Sequence, residues 1–237
     1  MTARRRVAAG AALPLLVAGV LGVEVLAARL GPRLAEPALR YADAGATVAV
    51  WLGDSTAVGL GVADGEESVA SVVARARGER VVMLARSGAT AADVLADQVG
   101  QPAVGEADVI YVSLGANDVT HLTGAGAFAD RYARLLERLP PGVPVVVLGL
   151  PDMGSPPRLL QPLRALAGWR GRRLDRAVQR LAADRPGTVH VGIAAHTGPA
   201  FRHRPGRYFS ADRYHPGPAG YALWADAVLE AVEAPGR

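Results

Sequence analysis

Five short apolar runs, separated by helical patterns, constrain this chain more than any other feature of its 237 residues. The runs are Thr47–Leu52, Arg80–Ala85, Asp108–Leu114, Val143–Leu150 and Thr188–Ile193. Each is rich in β-branched residues and too short for a buried helix, so each reads as a strand buried on both faces. Between and after them, helical patterns cover Ser68–Arg77, Ala91–Val99, Ala125–Leu139, Leu159–Asp184 and Pro218–Val232. Thr90, with Asp93 three residues on, caps the second of these, and Pro218 suits a first helical turn. The alternation implies an α/β fold, a three-layer α/β/α arrangement around a five-stranded parallel sheet. Ligands of such sheets gather off the carboxyl ends of the strands. The architecture alone names no function.

Ahead of that domain, Arg4–Arg6 precede an apolar run from Val7 to Ala28, broken only by Pro14 and Glu24. Its length is near the ~20 residues a membrane-spanning helix requires. A cleaved signal peptide, with Val25-Leu26-Ala27 at the cleavage site, and an uncleaved signal-anchor share this pattern. The longer apolar run favours the anchor, with Glu24 near the far interface, where a carboxylate costs less than at mid-bilayer. A soluble amphipathic helix fits less well, because the run has no polar face. The arginines stay cytoplasmic in both leading readings. The rest of the protein is then expected outside, either tethered to the cell membrane by a single pass or secreted. Gly31–Ala46, with Pro32 and Pro37, reads as a linker, and residues 47–237 as the domain proper.

Charge and composition exclude several classes. The formal net charge is +4, but residues 1–30 carry Arg4, Arg5, Arg6 and Arg29 against Glu24, so the remainder is close to neutral. That argues against a nucleic-acid partner, which needs a broad basic footprint. The chain has no Cys and no Lys. Thiolate chemistry, disulfides, Cys-based metal sites and Lys bases are therefore ruled out.

The residues after each strand are the informative ones. Gly53-Asp54-Ser55 follow the first, Arg86-Ser87-Gly88 the second, and Gly115-Ala116-Asn117-Asp118 the third. Pro151-Asp152-Met153 follow the fourth, and Asp212-Arg213-Tyr214-His215 occupy a long loop after the fifth. Each has a plain structural explanation by itself. Asp54 or Ser55 can cap a helix, Gly88 and Asn117 are turn formers, and Asp212 can cap a turn. His121, His190, His196 and His203 show no metal-ligand spacing, so no metal is expected.

Taken together in this order, the segments resemble the SGNH branch of the GDSL esterases and lipases. Gly53-Asp54-Ser55 matches the block with the nucleophile, Gly88 the second-block glycine, Gly115-Ala116-Asn117-Asp118 the third block, and Asp212–His215 the fourth. Arg86-Ser87 before Gly88 departs from the more usual Asn there. The resemblance covers about Thr47 to Val232 and implies a flavodoxin-like SGNH hydrolase fold. It also implies that Ser55 is the nucleophile, His215 the base and Asp212 the group that orients it. Ser55, Gly88 and Asn117 would form the oxyanion hole, and no cofactor is needed. Asp54 and Asp118 are read as supports for their loops. The implied activity is hydrolysis of a carboxylic ester, of a lipid or an acylated glycan. An acyltransferase using the same acyl-enzyme, or an inactive membrane-tethered binding module, are the alternatives. Ser155–Trp169 carries Leu159, Leu160, Leu163, Leu166 and Trp169, and reads either as a core-facing helix or as an apolar lip for an acyl chain.

Overall fold

The computed structural model describes residues 19–26, 30–38 and 40–233. Five parallel strands run in the order β2-β1-β3-β4-β5, with β1 Thr47–Gly53, β2 Glu79–Met83, β3 Val109–Ser113, β4 Val145–Leu148 and β5 Thr188–Val191. This is the doubly wound order whose direction of winding reverses between β1 and β3, and a crevice opens there at the carboxyl ends. Strand alternation assigns the two faces. Val50 and Leu52 of β1, with Ile110 and Val112 of β3, face one buried cluster. Ala49 and Trp51, with Val109 and Tyr111, face the other. Trp51 and Tyr111 lie opposite in register and stack with ring centroids 4.4 Å apart.

The helices that close the first face are α3 Ala91–Asp93, which widens into a π turn over Val94–Gln98, α5 Ala125–Arg138 and α6 Leu163–Asp184. Phe128, Tyr132 and Leu135 of α5 and Leu174 and Val178 of α6 supply that core. On the second face sit α2 Val69–Arg77, α7 Ile193–His203 and α9 Pro218–Glu233, which bring Val73, Phe201, Tyr221, Trp224 and Val228. Short helices α1 Ser55–Val58, α4 Ala116–Thr120 and α8 Pro205–Tyr208 lie at the strand ends and in the last loop.

The three-layer α/β/α fold expected from the sequence is the one observed, with differences at element ends. β5 stops at Val191, because Gly192 leads at once into α7, a helix the sequence pattern does not announce. Pro199 inside that helix is the feature that hides it. The helix expected from Leu159 begins at Leu163, since the residue before Pro162 is biased away from helical geometry. Residues 40–46 lie along the domain: Val81 N–H donates to Ala42 O at 2.7 Å and Tyr41 Oη–H to Val58 O at 2.9 Å.

Most of the N-terminal apolar run, residues 7–18 together with Ala27 and Ala28, lies outside the described residues. Among the described residues no helix is long and apolar enough to cross a membrane. Residues 19–26 form a short helix against the domain. Glu24, expected at a lipid interface, is instead buried, and its Oε2 accepts the Leu163 N–H at 2.9 Å. A carboxylate there satisfies a first-turn donor of α6 and meets the positive end of its dipole.

Candidate active site

Gly53 and Asp54 aim Ser55. Gly53 has φ +140, and a Cβ on it would sit 1.8 Å from Ser113 O, so only glycine lets β1 run this close to the end of β3. Asp54 is fully buried and caps α1, its Oδ1 accepting Thr56 N–H at 2.9 Å and Thr56 Oγ1–H at 2.8 Å. Burial pushes the Asp54 carboxyl above the usual carboxylate range, against the pull of the Thr56 bonds. Its own N–H donates to Ser113 O at 3.0 Å. Ser55 is thereby fixed as the first residue of α1, at the carboxyl edge of the sheet.

The Asp212–His215 loop arrives at the same edge. Phe209 and Pro216 form an isolated bridge, and Ser210 N–H donates to His215 O at 2.8 Å, which folds the segment into a compact turn. Arg213 sits inside it at φ 60, a left-handed value uncommon for a side chain of this size. The turn presents His215 Nε2 to Ser55 Oγ at 3.1 Å and His215 Nδ1 to Asp212 Oδ2 at 2.7 Å. Asp212 Oδ1 accepts from Ser210 Oγ at 2.8 Å, Tyr214 N–H at 2.9 Å and His215 N–H at 3.0 Å. Burial alone pushes this carboxyl up, but the His215 and Ser210 bonds prevail and hold it well below the usual range. Residues 160 positions apart therefore form one hydrogen-bonded chain, hydroxyl to imidazole to carboxylate.

Residues 51–223 match the sequence profile of the GDSL-like lipase/acylhydrolase family. The chain belongs to that family. A GDSL-like esterase of Mycobacterium tuberculosis is 41% identical over 188 residues, which are 76% of this chain and 60% of the relative. The chain thus spans less than two thirds of that protein's length. Many solved structures share the fold, among them the following two. A lipase from a goat rumen metagenome has a TM-score of 0.65 at 22% identity, covering 78% of this chain and 97% of its own. A catalytic mutant of an acetylxylan esterase from Geobacillus stearothermophilus has a TM-score of 0.59 at 18% identity, covering 81% and 98%.

Around the GDSL serine, the other expected residues fall as follows. Asn117 sits in the first turn of α4, after β3, and lines the same pocket as Ser55 and His215. Its Nδ2 donates to Ala89 O at 3.0 Å, which ties it to the turn holding Gly88. Gly88 has φ +84 in that turn. Asp118 is buried and accepts Ala91 N–H at 2.9 Å, joining the third block of the GDSL-like domain to the start of α3. The pocket beside Ser55 is mainly apolar, with Met153, Phe201, Phe209, Pro216 and Trp224 among its walls. Of the segment read as core helix or lip, Leu159 is buried, Leu160, Leu166 and Trp169 are exposed, and none of these four is among the residues lining the pocket. Among the described residues, no group of His, Asp and Glu is placed to hold a metal ion.

Two residues of the site escape sequence reasoning. Gln98 clasps the Gly53 peptide from both sides, its Oε1 accepting the N–H at 2.8 Å and its Nε2 donating to the carbonyl at 2.9 Å. Arg158 places Nη1 3.8 Å from Asp212 Oδ2 and donates from the same nitrogen to Pro32 O at 2.8 Å. No local pattern marks either one.

Proposed function

We propose that this GDSL-family chain is a serine hydrolase of carboxylic esters. The observation that carries the reading is the continuous chain from Ser55 Oγ through His215 to Asp212 beside an apolar pocket. With Nδ1–H donated to Asp212, His215 keeps an Nε2 lone pair for the serine proton. Ser55 Oγ attacks the ester carbonyl as His215 takes that proton. The C–O π pair moves onto oxygen, where the N–H groups of Ser55 and Gly88 and the second Nδ2–H of Asn117 receive it. Donors of this kind are typically worth ~2.7–4 kcal/mol of barrier each. Collapse of the intermediate expels the alkoxide, which takes the proton from His215 and leaves an acyl-serine. Water, deprotonated by the same imidazole, attacks the acyl carbon, and Ser55 regains its proton as the carboxylic acid departs. The apolar walls suit the acyl portion of a lipid or of an acylated glycan.

Export follows as part of this proposal. Arg4–Arg6 and the apolar residues after them direct the chain across a membrane, with the GDSL-like domain outside. Because Glu24 and its helix pack on the domain, the apolar stretch outside the described residues, 7–18, is too short by itself for the ~20 residues of a span.

A fluorophosphonate probe with peptide mapping tests the chemistry. The expected label is on Ser55, and Ser55→Ala loses both the label and on the order of 10⁴-fold or more of p-nitrophenyl ester turnover while still folding. Labelling at another serine, or turnover retained in Ser55→Ala, rejects the mechanism.

A further inference from the structure

The short helix at 19–26 is built with its polarity reversed. Its carboxylate, Glu24, is buried against the domain, while Val20, Val23, Val25 and Leu26 are exposed, and Leu30 is exposed as well. Val23 is 68% exposed and Leu30 75%. A helix facing water carries its apolar stripe inward. The start of α6, to which Glu24 ties this helix, shows the same inversion. Leu160, Leu166 and Trp169 are exposed there, Trp169 to 48%. Arg170 donates to Val119 O and Thr123 O, which brings the loop carrying exposed Leu122 alongside. Among the described residues, every large exposed apolar side chain except Val189 belongs to this one collar. Exposed apolar side chains gathered on segments tied to one another in this way mark an interaction site.

We propose that the collar docks in the surface of a lipid bilayer, seating the domain on the membrane with the rim of its site at the interface. Two features select lipid over another occupant. The apolar residues Val7–Ala18, headed by Arg4–Arg6, lead directly into residues 19–26. Along the exposed stripe of α6, Leu166 and Trp169 give way one turn later to Arg173 and then Arg176 and Arg180. The Arg173 guanidinium lies 5.8 Å from the Trp169 ring centre. Apolar side chains, then an amphipathic tryptophan, then arginines is the order of side chains that enters acyl chains, interface and anionic headgroups in turn. The collar follows the pocket walls closely along the chain, because Ser155 and Pro156 line the pocket just before Leu160, and Asn117 just before Leu122. The inference rests on the export proposed above, which delivers the domain to the outer face of a membrane. Its readout is spectroscopic and independent of ester turnover, so the two stand or fall separately.

The chain has three tryptophans, and Trp51 and Trp224 are buried. Trp169 is therefore a built-in reporter. The full chain is mixed with phosphatidylcholine vesicles containing phosphatidylglycerol, with and without brominated acyl chains. The expected result is a blue shift of Trp169 emission and its quenching by the brominated lipid, both absent in Trp169→Phe. Leu160→Gln and Leu166→Gln, at exposed positions that leave thermal unfolding unchanged, each weaken partitioning about tenfold. Vesicle-bound protein with unshifted, unquenched Trp169 overturns the proposal, since the N-terminal segment then holds the domain clear of the bilayer. A blue shift that grows with protein concentration and needs no vesicles also overturns it, assigning the collar to a second copy of the chain.

Discussion

The side-chain amide of Gln98 pairs with the Gly53 peptide through both its oxygen and its nitrogen, at 2.8 and 2.9 Å. Gly53 is the last residue of β1 and the second before Ser55, and its peptide is buried. The C=O also accepts Arg86 N–H at 3.2 Å, so it is the N–H for which Gln98 supplies the partner at the point where the chain must turn away. Gln98→Leu keeps the volume and leaves the buried Gly53 N–H without its partner, while the C=O keeps Arg86 N–H. One buried group left unpaired costs about 1–3 kcal/mol, so the variant should lose about that much by urea unfolding. An unchanged midpoint would show that water replaces the amide at no cost.

Gly53 and Gly88 both have positive φ, yet alanine should affect them differently. At Gly53 the new Cβ meets Ser113 O at 1.8 Å, and backbone must move between β1 and β3. At Gly88, with φ +84, nothing lies within 4 Å, and only the left-handed conformation is penalised. Gly88→Ala should therefore fold with a loss of ~1–2 kcal/mol, and Gly53→Ala should fail to give soluble, cooperatively melting protein. Comparable melting curves for the two variants would contradict this account.

What the sequence makes legible follows from the range of the interactions involved. Strands buried on both faces write themselves as continuous apolar runs, Ser55 and Asn117 stand just past strand ends, and Asp212 and His215 keep their three-residue spacing. Their meeting place follows once the sheet is known to be parallel. Gly192 looks like the continuation of an apolar strand, because its role as the entry to α7 depends on a helix that Gly198 and Pro199 disguise. Gln98 acts on a residue 45 positions away, from the last turn of an ordinary helical pattern. Glu24, in an apolar stretch, reads as a residue near lipid, since the buried N–H of Leu163 that it satisfies lies 139 positions on.

Arg158 links the segment before β1 to the carboxylate beside His215. Its side chain is 16% exposed and reaches Pro32 O and Asp212 Oδ2, while its backbone N–H donates to Arg213 O at 3.1 Å. Arg158→Met keeps the stem and removes the guanidinium. The expected outcome is faster amide exchange over residues 31–36, together with a stability loss of about 1.5–3 kcal/mol for the hydrogen bond to a charged group. Exchange that rises only in the Asp212–His215 loop, with residues 31–36 unchanged, would mean that the N-terminal segment is held by other contacts.

Asp212 should leave a signature in stability as well as in rate. Burial raises its carboxyl and the His215 and Ser210 bonds lower it further, so its folded value is depressed. A depressed carboxylate contributes stability that is fully present above its unfolded value, ~3.9, and is lost as pH falls through that value toward the folded one. Asp212→Asn removes the titrating group, so the wild-type advantage in urea unfolding should be largest near pH 7 and shrink steadily below about pH 4. The amide also offers an N–H where Nδ1–H needs an acceptor, which favours the wrong imidazole tautomer and should cut kcat by ~10⁴. Parallel stability curves at pH 7 and pH 3 would show that the carboxylate is not held by these bonds. A near-normal kcat in the same variant would remove Asp212 from the mechanism.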